Sequence, residues 1–536
     1  MLTAMPDIRM ARGPEDLSAL GRRAAQARNW AQVNACAAEL LRRNSSDPEG
    51  HFLAGLVEKA ATHPLKAAAC FARALEIEPG RYDAAVELAN QHAIGRRNAA
   101  AAALLEAYEP RISNSPRYLD LAGTIYVDIG LPERAWPLYV RACELQPDVT
   151  LFQGNRAACS VYLGKIEEAK ALYRSLLEKA PNHQRNHYQL SRLERARDTT
   201  HIEQMKAVLA ATKLPPDRNV FLYYAIGKEL EDLEQWAEAF RYYKLGGDAV
   251  AGVARYDGAE DIQLIDRIIE VCNTAWLQSG PARADAGAAA RTPIFIVGLP
   301  RTGTTLTERI LASHSQVESL GETQFLQMAL RQVSGVESVE GINPATIESA
   351  AKADAGRIAD GYLEAVAYRL GDRPMFIEKL PFNFLYVGFI ARTWPHARIV
   401  HLRRHPMDTC FSMYKQVFTW AYKFSYQFDT LGRYFIAHER LARHWRALLG
   451  ERLIEVEYES LVAAPEEQTR RLLERVGLAF EPACLDFDRN QSASTTASSV
   501  QVREKINDRS IGRWRHFEQE LRPLRDILED AGITVG

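Results

Sequence analysis

The chain has 536 residues, 47% apolar and 25% charged, with a net charge of −2. That balance is ordinary for a globular protein and excludes wholesale disorder, collagen and low-complexity sequence. The near-neutral charge argues against a dedicated nucleic-acid binder, which is usually basic. Length alone gives a prior of three to four domains of roughly 150 residues.

The first residues, Met1 to Gly13, show no apolar core of a signal peptide. No apolar run approaches the roughly 18 residues of a membrane span, so a cytoplasmic protein with no membrane span is expected. Seven cysteines lie far apart with no CxxC pair. Buried, reduced thiols are expected rather than a disulfide framework or a zinc site.

Residues 17–275 carry an internal repeat. Prolines fall at Pro48, Pro79, Pro116, Pro147, Pro181 and Pro215, spaced on average close to 34 residues. Small and aromatic residues recur in one register: Gly55, Ala67, Phe71 and Ala74; Gly123, Ala135, Tyr139 and Ala142; Ala157, Ala169 and Tyr173; Gly227, Ala239 and Tyr243. Small residues let two helices cross closely, and aromatics fill the groove beside them. The prolines are expected to stop the second helix of each pair. The pattern resembles the tetratricopeptide family, which implies an all-α solenoid offering a surface to a protein or peptide partner. A purely dimerising or shielding role is an equal alternative.

Residues 276–292 read as a linker, because Ser279–Ala282 and Ala284–Ala290 lack a periodic apolar face. From Pro293 the pattern changes. Short β runs at Ile294–Val297, Met375–Ile377, Ile399–Leu402 and Leu453–Val456 alternate with helical stretches such as Thr430–Leu449. This predicts an α/β domain over 293–536, with a parallel sheet covered by helices.

The first strand runs into Gly298-Leu299-Pro300-Arg301-Thr302-Gly303-Thr304-Thr305 and then a helix. A strand, a Gly-rich loop and a helix N-terminus cradle phosphate: amides point inward and the helix dipole is positive there. The Gly-x4-Gly spacing is that of a Walker A loop, but Thr304 stands where a kinase or ATPase needs Lys.

This block resembles the 5′-phosphosulfate loop of the sulfotransferases that use 3′-phosphoadenylyl sulfate (PAPS). It is closest to the tyrosylprotein sulfotransferase branch and to bacterial proteins that join tetratricopeptide repeats to it. The resemblance implies a P-loop-like fold, PAPS as co-substrate, PAP as product and no metal. It assigns Arg301, Thr302, Gly303, Thr304 and Thr305 to the 5′-phosphosulfate. Arg404, at the end of Arg398–Arg404, and Ser412, eight residues later, match its 3′-phosphate site. Glu322 in Leu320-Gly321-Glu322-Thr323 matches its general base. Lys379 in Glu378-Lys379-Leu380-Pro381 matches its Lys near the transferring group.

Tyr458 matches a Tyr beside the nucleotide. Ser498 or Ser499 matches a late-loop Ser, and Arg503 or Lys505 the basic contact. Aromatics from Phe411 to Phe428 either line an acceptor pocket or pack the core. The expected reaction is sulfuryl transfer to a hydroxyl, of peptide tyrosine or of a small molecule. A nucleotide kinase using Arg for the missing Lys and a non-catalytic scaffold are the alternatives.

Overall fold

A computed structural model of the chain describes residues 13–279, 291–337, 341–418, 421–490, 492–496 and 498–536. Most of the expected linker, at 280–290, and Trp420 of the aromatic stretch lie outside the described residues. The chain divides into two compact units that meet in the sequence at Cys159 and Ser160.

The first unit is helical among its described residues. Its helices pair as Pro14–Gln26 with Trp30–Arg43, Pro48–Ala60 with Pro64–Ile77, Tyr82–Ile94 with Asn98–Tyr108, and Pro116–Asp128 with Pro132–Leu145. Along the sequence, first helices begin at Pro14, Pro48, Tyr82, Pro116, Thr150 and Gln184, and second helices at Trp30, Pro64, Asn98, Pro132, Ile166 and Thr200; both series step by 34 residues. This is the tetratricopeptide period.

It also corrects one expectation. Pro48 and Pro116 do not stop a second helix; each opens a first helix at N1, where a missing N–H costs nothing. Pro79, Pro147 and Pro181 follow a second helix, as expected. Two proline registers are therefore interleaved, which produces the uneven spacing.

Packing explains the small residues. A Cβ on Gly55 would meet the Phe71 ring at 2.5 Å, and one on Gly123 would meet the Tyr139 ring at 2.8 Å. Ala67, Ala74, Ala135 and Ala142 are fully buried. The turn between the paired helices is left-handed at each repeat: Arg28, Thr62, Arg96, Gly130 and Gly164 have φ of 56°, 60°, 58°, 82° and 73°. Glycine holds that conformation freely, whereas a β-branched threonine is strained in it.

The second unit holds the remaining helices of the repeat region and one parallel sheet. The helices that matter most are α1 (Val220–Asp232) and α2 (Trp236–Ala254). The strands are β1 (Thr292–Gly298), β2 (Val317–Ser319), β3 (Met375–Lys379), β4 (Arg398–Arg403) and β5 (Leu453–Glu457). Among the described residues they form one sheet in the order β2-β3-β1-β4-β5, all parallel. Four strands coincide with the sequence reading. β2 is new: three residues, two of them polar, give no β pattern to read. Three helices position the site: α3 (Thr304–Ala312) after β1, α4 (Pro406–Tyr414) after β4, and α5 (Phe428–Leu449) before β5.

The sheet is buried on both faces. Ile294, Ile296, Val400 and Ile454 pack with Ile310 and Leu311 of α3 and with Leu472 and Leu473. Phe295, Val297 and Ile399 belong to a larger core that also takes in Ile226 of α1, Phe240 of α2, and Leu441 and Trp445 of α5. The last repeat thus shares a core with the sheet. A polar lock adds to it. Glu231 of α1, buried, accepts from Lys415 Nζ at 2.6 Å, Arg513 Nε at 2.9 Å and the Tyr243 hydroxyl at 2.7 Å. Burial disfavours its charge, but Lys415 and Arg513 prevail and hold it down at about 2.

Thr62→Gly relieves the strained turn in the first unit. We expect the denaturant midpoint to rise, by about 0.5 kcal/mol of stability once glycine's greater unfolded-state freedom is subtracted. An unchanged or lower midpoint in an equilibrium urea titration contradicts the strain assignment.

Candidate active site

The site is built at the C-terminal edge of the sheet, where open α/β sheets bind ligands. β1 ends at Gly298 and the loop turns back into α3. Arg301 and Gly303 have φ of 69° and 99°. At Gly303 a side chain would also strike the Tyr458 ring, 2.6 Å from the Cβ position. Thr302 donates its hydroxyl to the Leu299 carbonyl at 2.7 Å and closes the turn. Thr304 and Thr305 open α3, whose first-turn amides have no partner within the helix. Thr305 and Thr496 hydroxyls lie 3.3 Å apart.

Arg301 and Arg404 converge here. Arg404 Nη1 donates to the Arg301 carbonyl at 2.9 Å and to Ser412 Oγ at 3.3 Å, and Nη2 donates to the Ser510 carbonyl. Its guanidinium lies over the Tyr458 ring, 4.9 Å from the centroid, and the Tyr458 hydroxyl is 2.8 Å from Ser510 Oγ. Arg301 donates to Ser498 Oγ and, at 2.8 Å, to Gln501 Oε1. Nε of both arginines is buried with no hydrogen-bond partner. Burial, then the nearby Arg404 and Arg192, push Arg301 down to about 10. Two like charges held this closely with orphaned donors have the chemistry that suits an oxyanion.

The second cluster lies at the end of β3. Lys379 is fully buried, and its Nζ donates to Glu322 Oε1 at 2.5 Å and lies 3.5 Å from Glu308 Oε2. Burial opposes the ammonium, but the two carboxylates outweigh it and raise its pKa above the ordinary value. The Ser319 hydroxyl donates to Glu308 Oε1 at 2.6 Å. The Lys379 amide donates to the Gly321 carbonyl at 2.9 Å, which lays the Gly321-Glu322 turn across the strand end. Glu322 keeps 34% of its side chain exposed, so the carboxylate is both paired and reachable.

The sequence-derived candidates therefore fall into two groups and one outlier. Arg301, Thr302, Gly303, Thr304, Thr305, Arg404, Ser412, Tyr458 and Ser498 gather around the loop. Glu322 and Lys379 form the pair at β3. Ser498, rather than Ser499, meets Arg301; Ser499 is buried, and its amide donates to the Thr496 carbonyl. Arg503 stands apart, donating to the Tyr162 carbonyl at 2.9 Å and the Ser492 carbonyl at 3.3 Å. Burial and Arg309 push it down to about 10.

Residues not anticipated are Glu308, Ser510, Gln501 and Thr496. Glu308 left a readable signal: a carboxylate on the helix face that also carries Leu311 and Ala312. The aromatic stretch divides. Phe411, Tyr414, Phe424 and Tyr426 are core, while Phe418, Tyr422 and Phe382 are partly buried, with Phe382 and Tyr422 ring centroids 4.7 Å apart. Among the described residues no group of three or more His, Cys, Asp or Glu could hold a metal ion, and no helix is long and apolar enough to cross a membrane.

A parallel sheet with a Gly-rich strand–loop–helix turn and paired arginines at its edge defines a P-loop-like group-transfer domain. Comparison with known proteins specifies it further. A family model described as "Sulfotransferase family" matches residues 293–482, so the C-terminal half carries a sulfotransferase-family domain. It is similar to protein-tyrosine sulfotransferases: protein-tyrosine sulfotransferase 1 of Danio rerio is 26% identical over 239 residues, 41% of this chain and 65% of that protein. An uncharacterized protein of Aquifex aeolicus is 29% identical over 376 residues, 69% of this chain. The chain spans about half the length of that relative, 49%. Among solved structures, the sulfotransferase domain of the Synechococcus PCC 7002 olefin synthase is 18% identical, covering 48% of this chain and all of that one, with a TM-score of 0.32.

Beside Lys379 the next residue of β3, Glu378, is buried on the other face and accepts from Tyr362 and from Asn383 at 2.5 and 2.8 Å. Burial raises its pKa to about 7 despite these donors. The fold therefore holds a proton that the unfolded chain releases near pH 4.5. Stability then falls as pH rises from about 4.5 to 7, by about 3 kcal/mol at most. Glu378→Gln is expected to flatten that part of the stability–pH curve in urea titrations; an unchanged slope contradicts the assignment.

Proposed function

We propose that this protein transfers a sulfuryl group from PAPS to a hydroxyl acceptor. The observation that carries the reading is the pair of arginines at the loop, Arg301 and Arg404, each with a buried Nε that has no partner. They stand on the strand–loop–helix turn of a domain matched by the sulfotransferase family. Such donors fit the phosphate oxygens of PAPS, and Ser412 beside Arg404 fits the 3′-phosphate.

PAPS supplies an activated sulfuryl group bound to its 5′-phosphate. In the proposed reaction Glu322 accepts the proton of the acceptor hydroxyl, and that oxygen attacks sulfur in line. The new O–S bond forms as the bond from sulfur to the phosphate oxygen breaks, and PAP leaves with the electron pair. Arg301, Lys379 and the amides of the loop stabilise charge on the sulfuryl and phosphate oxygens, each donor worth about 2.7–4 kcal/mol. Proton abstraction by Glu322 is worth ~10²–10⁴-fold. Lys379 also positions the base, since its Nζ donates to Glu322 Oε1 at 2.5 Å. Thr302, Gly303, Thr304 and Thr305 hold the 5′-phosphate, Tyr458 and Ser498 flank the nucleotide, and Arg503 orders the late loop that carries Ser498. Peptide tyrosine and small hydroxylated molecules are the acceptor classes, and the repeat region binds the acceptor or a partner.

Thermal denaturation of the full chain with PAP, ADP and Mg-ATP tests this reading. At about 100 times its dissociation constant PAP should stabilise the chain by ~2.7 kcal/mol, with ADP weaker and Mg²⁺ without effect. No response to PAP, or a response to Mg-ATP alone, overturns it. Glu322→Gln separates base from binder: PAP affinity should stay within about threefold while turnover falls ~10²-fold or more. Arg404→Ala should do the reverse and weaken PAP by about tenfold or more, since a charge-assisted contact is worth about 1.5–3 kcal/mol.

A further inference from the structure

A cavity of about 400 Å³ lies in the second unit between the end of β4, the start of α4, α5 and the C-terminal turn Ala531–Thr534. Neither Glu322, Lys379, Tyr458 nor Ser498 lines it. Its walls carry Arg403, Arg404, Arg443 and Arg446 against one lining carboxylate, Glu439.

These guanidiniums are only partly engaged. Arg446 Nε donates to Glu455 at 2.8 Å, while its Nη2 is buried without a hydrogen bond, 3.9 Å from Glu439 Oε2. Arg403 reaches Glu439, Glu455 and Glu457 only at 3.8–3.9 Å. Arg443 stands exposed at the rim. The Nε of Arg404, already noted as unpartnered, belongs to the same wall.

Two imidazoles add to this. His401 is fully buried and His438 is 4% exposed; both line the cavity and stack against Phe384, at 4.6 and 4.2 Å between centroids. His401 Nδ1 lies 3.3 Å from Glu455 Oε1, while its Nε2 has no partner. Burial holds His401 at about 4, hence neutral. With the proton on Nδ1, Nε2 is a buried acceptor that lacks a donor. His438 Nδ1 lies 3.8 Å from Glu439 Oε1, beyond hydrogen-bond reach.

Guanidinium donors left without a hydrogen bond call for an oxyanion, and a neutral imidazole acceptor calls for a hydroxyl beside it. The volume is that of a small-molecule site. We infer that this cavity binds a small hydroxylated oxyanion, with the anion on Arg443 and Arg446 and the hydroxyl on His401. Carboxylate and phosphate share that chemistry, as in a hydroxy acid or a sugar phosphate. Since Arg404 and Thr302 border both this cavity and the loop, an occupant would act on the loop's geometry from behind.

Thermal denaturation of the full chain tests the inference, with citrate and glycerol 3-phosphate as probes. Each has a partner lacking the hydroxyl, tricarballylate and propyl phosphate, and chloride at matched ionic strength is the control. We expect citrate or glycerol 3-phosphate to raise the melting temperature and to bind more tightly than its partner. Arg443→Ala, at an exposed position, should weaken that probe about tenfold, the loss of one charged contact. Arg301→Ala, which removes the one loop arginine that does not line the cavity, should leave the response in place. No shift with either probe, or a shift kept in Arg443→Ala and lost in Arg301→Ala, overturns the inference. The first result leaves a hydrated cavity; the second places the anion at the loop. Neither depends on whether PAP binds.

Discussion

A fully buried ammonium is among the least tolerated groups in a protein interior, and the edge of this sheet is organised around one. Lys379 loses all contact with solvent at the end of β3. Removing such a charge from water costs several kcal/mol unless opposite charge replaces the water. Glu322 and Glu308 supply it from two other elements, the Gly321-Glu322 turn and α3. The lysine therefore ties the loop helix, the turn after β2 and the strand end into one geometry. Loss of either carboxylate leaves part of a buried charge unanswered, so the sequence can vary around this triad more easily than within it.

The neighbouring cluster poses the opposite electrostatic problem. Arg301 and Arg404 repel each other, and among the described residues no carboxylate is paired with them; their partners are carbonyl, hydroxyl and amide oxygens. A neutral acceptor eases the desolvation of a guanidinium only in part, as the depressed Arg301 shows. The strain is held by the fold: a left-handed arginine, a glycine whose Cβ would strike Tyr458, and a late loop drawn in by Arg301 and by Arg309. Lys379 is matched by two carboxylates within the fold, whereas the arginine pair meets only neutral acceptors and keeps donors unused.

Local chemistry decided what could be read in the residues. The repeat was legible because each packed unit needs a small residue opposite an aromatic at a fixed step. The loop was legible because its function resides in backbone conformation, which glycines betray. Four of the five strands were legible as apolar runs, and β2 was not, since a three-residue edge strand has too little apolar surface to leave a period. The prolines misled where two physical roles, opening one helix and following another, fall on the same residue type. Ser498 could not be told from Ser499 because the choice depends on a guanidinium 197 positions away. Ser510 was missed for the same reason, since its partner Arg404 lies 106 positions away.

The shared core has a consequence for how function is distributed in the second unit. Glu231 of α1 takes up Lys415, just beyond the helix that carries Ser412, and Arg513, which follows the Ser510 that contacts Arg404. Both cations on this buried carboxylate are thus chain neighbours of residues on the arginine cluster. Removing Glu231 would leave two half-buried cations without their acceptor, a loss below the roughly 3–5 kcal/mol of a fully buried pair. The segments nearest the arginines would relax first, because they lose their anchor while the sheet keeps its own core. The helix of the last repeat is therefore part of the framework that sets the site's geometry, and the repeat period and the α/β pattern, separate in the sequence, join at one carboxylate.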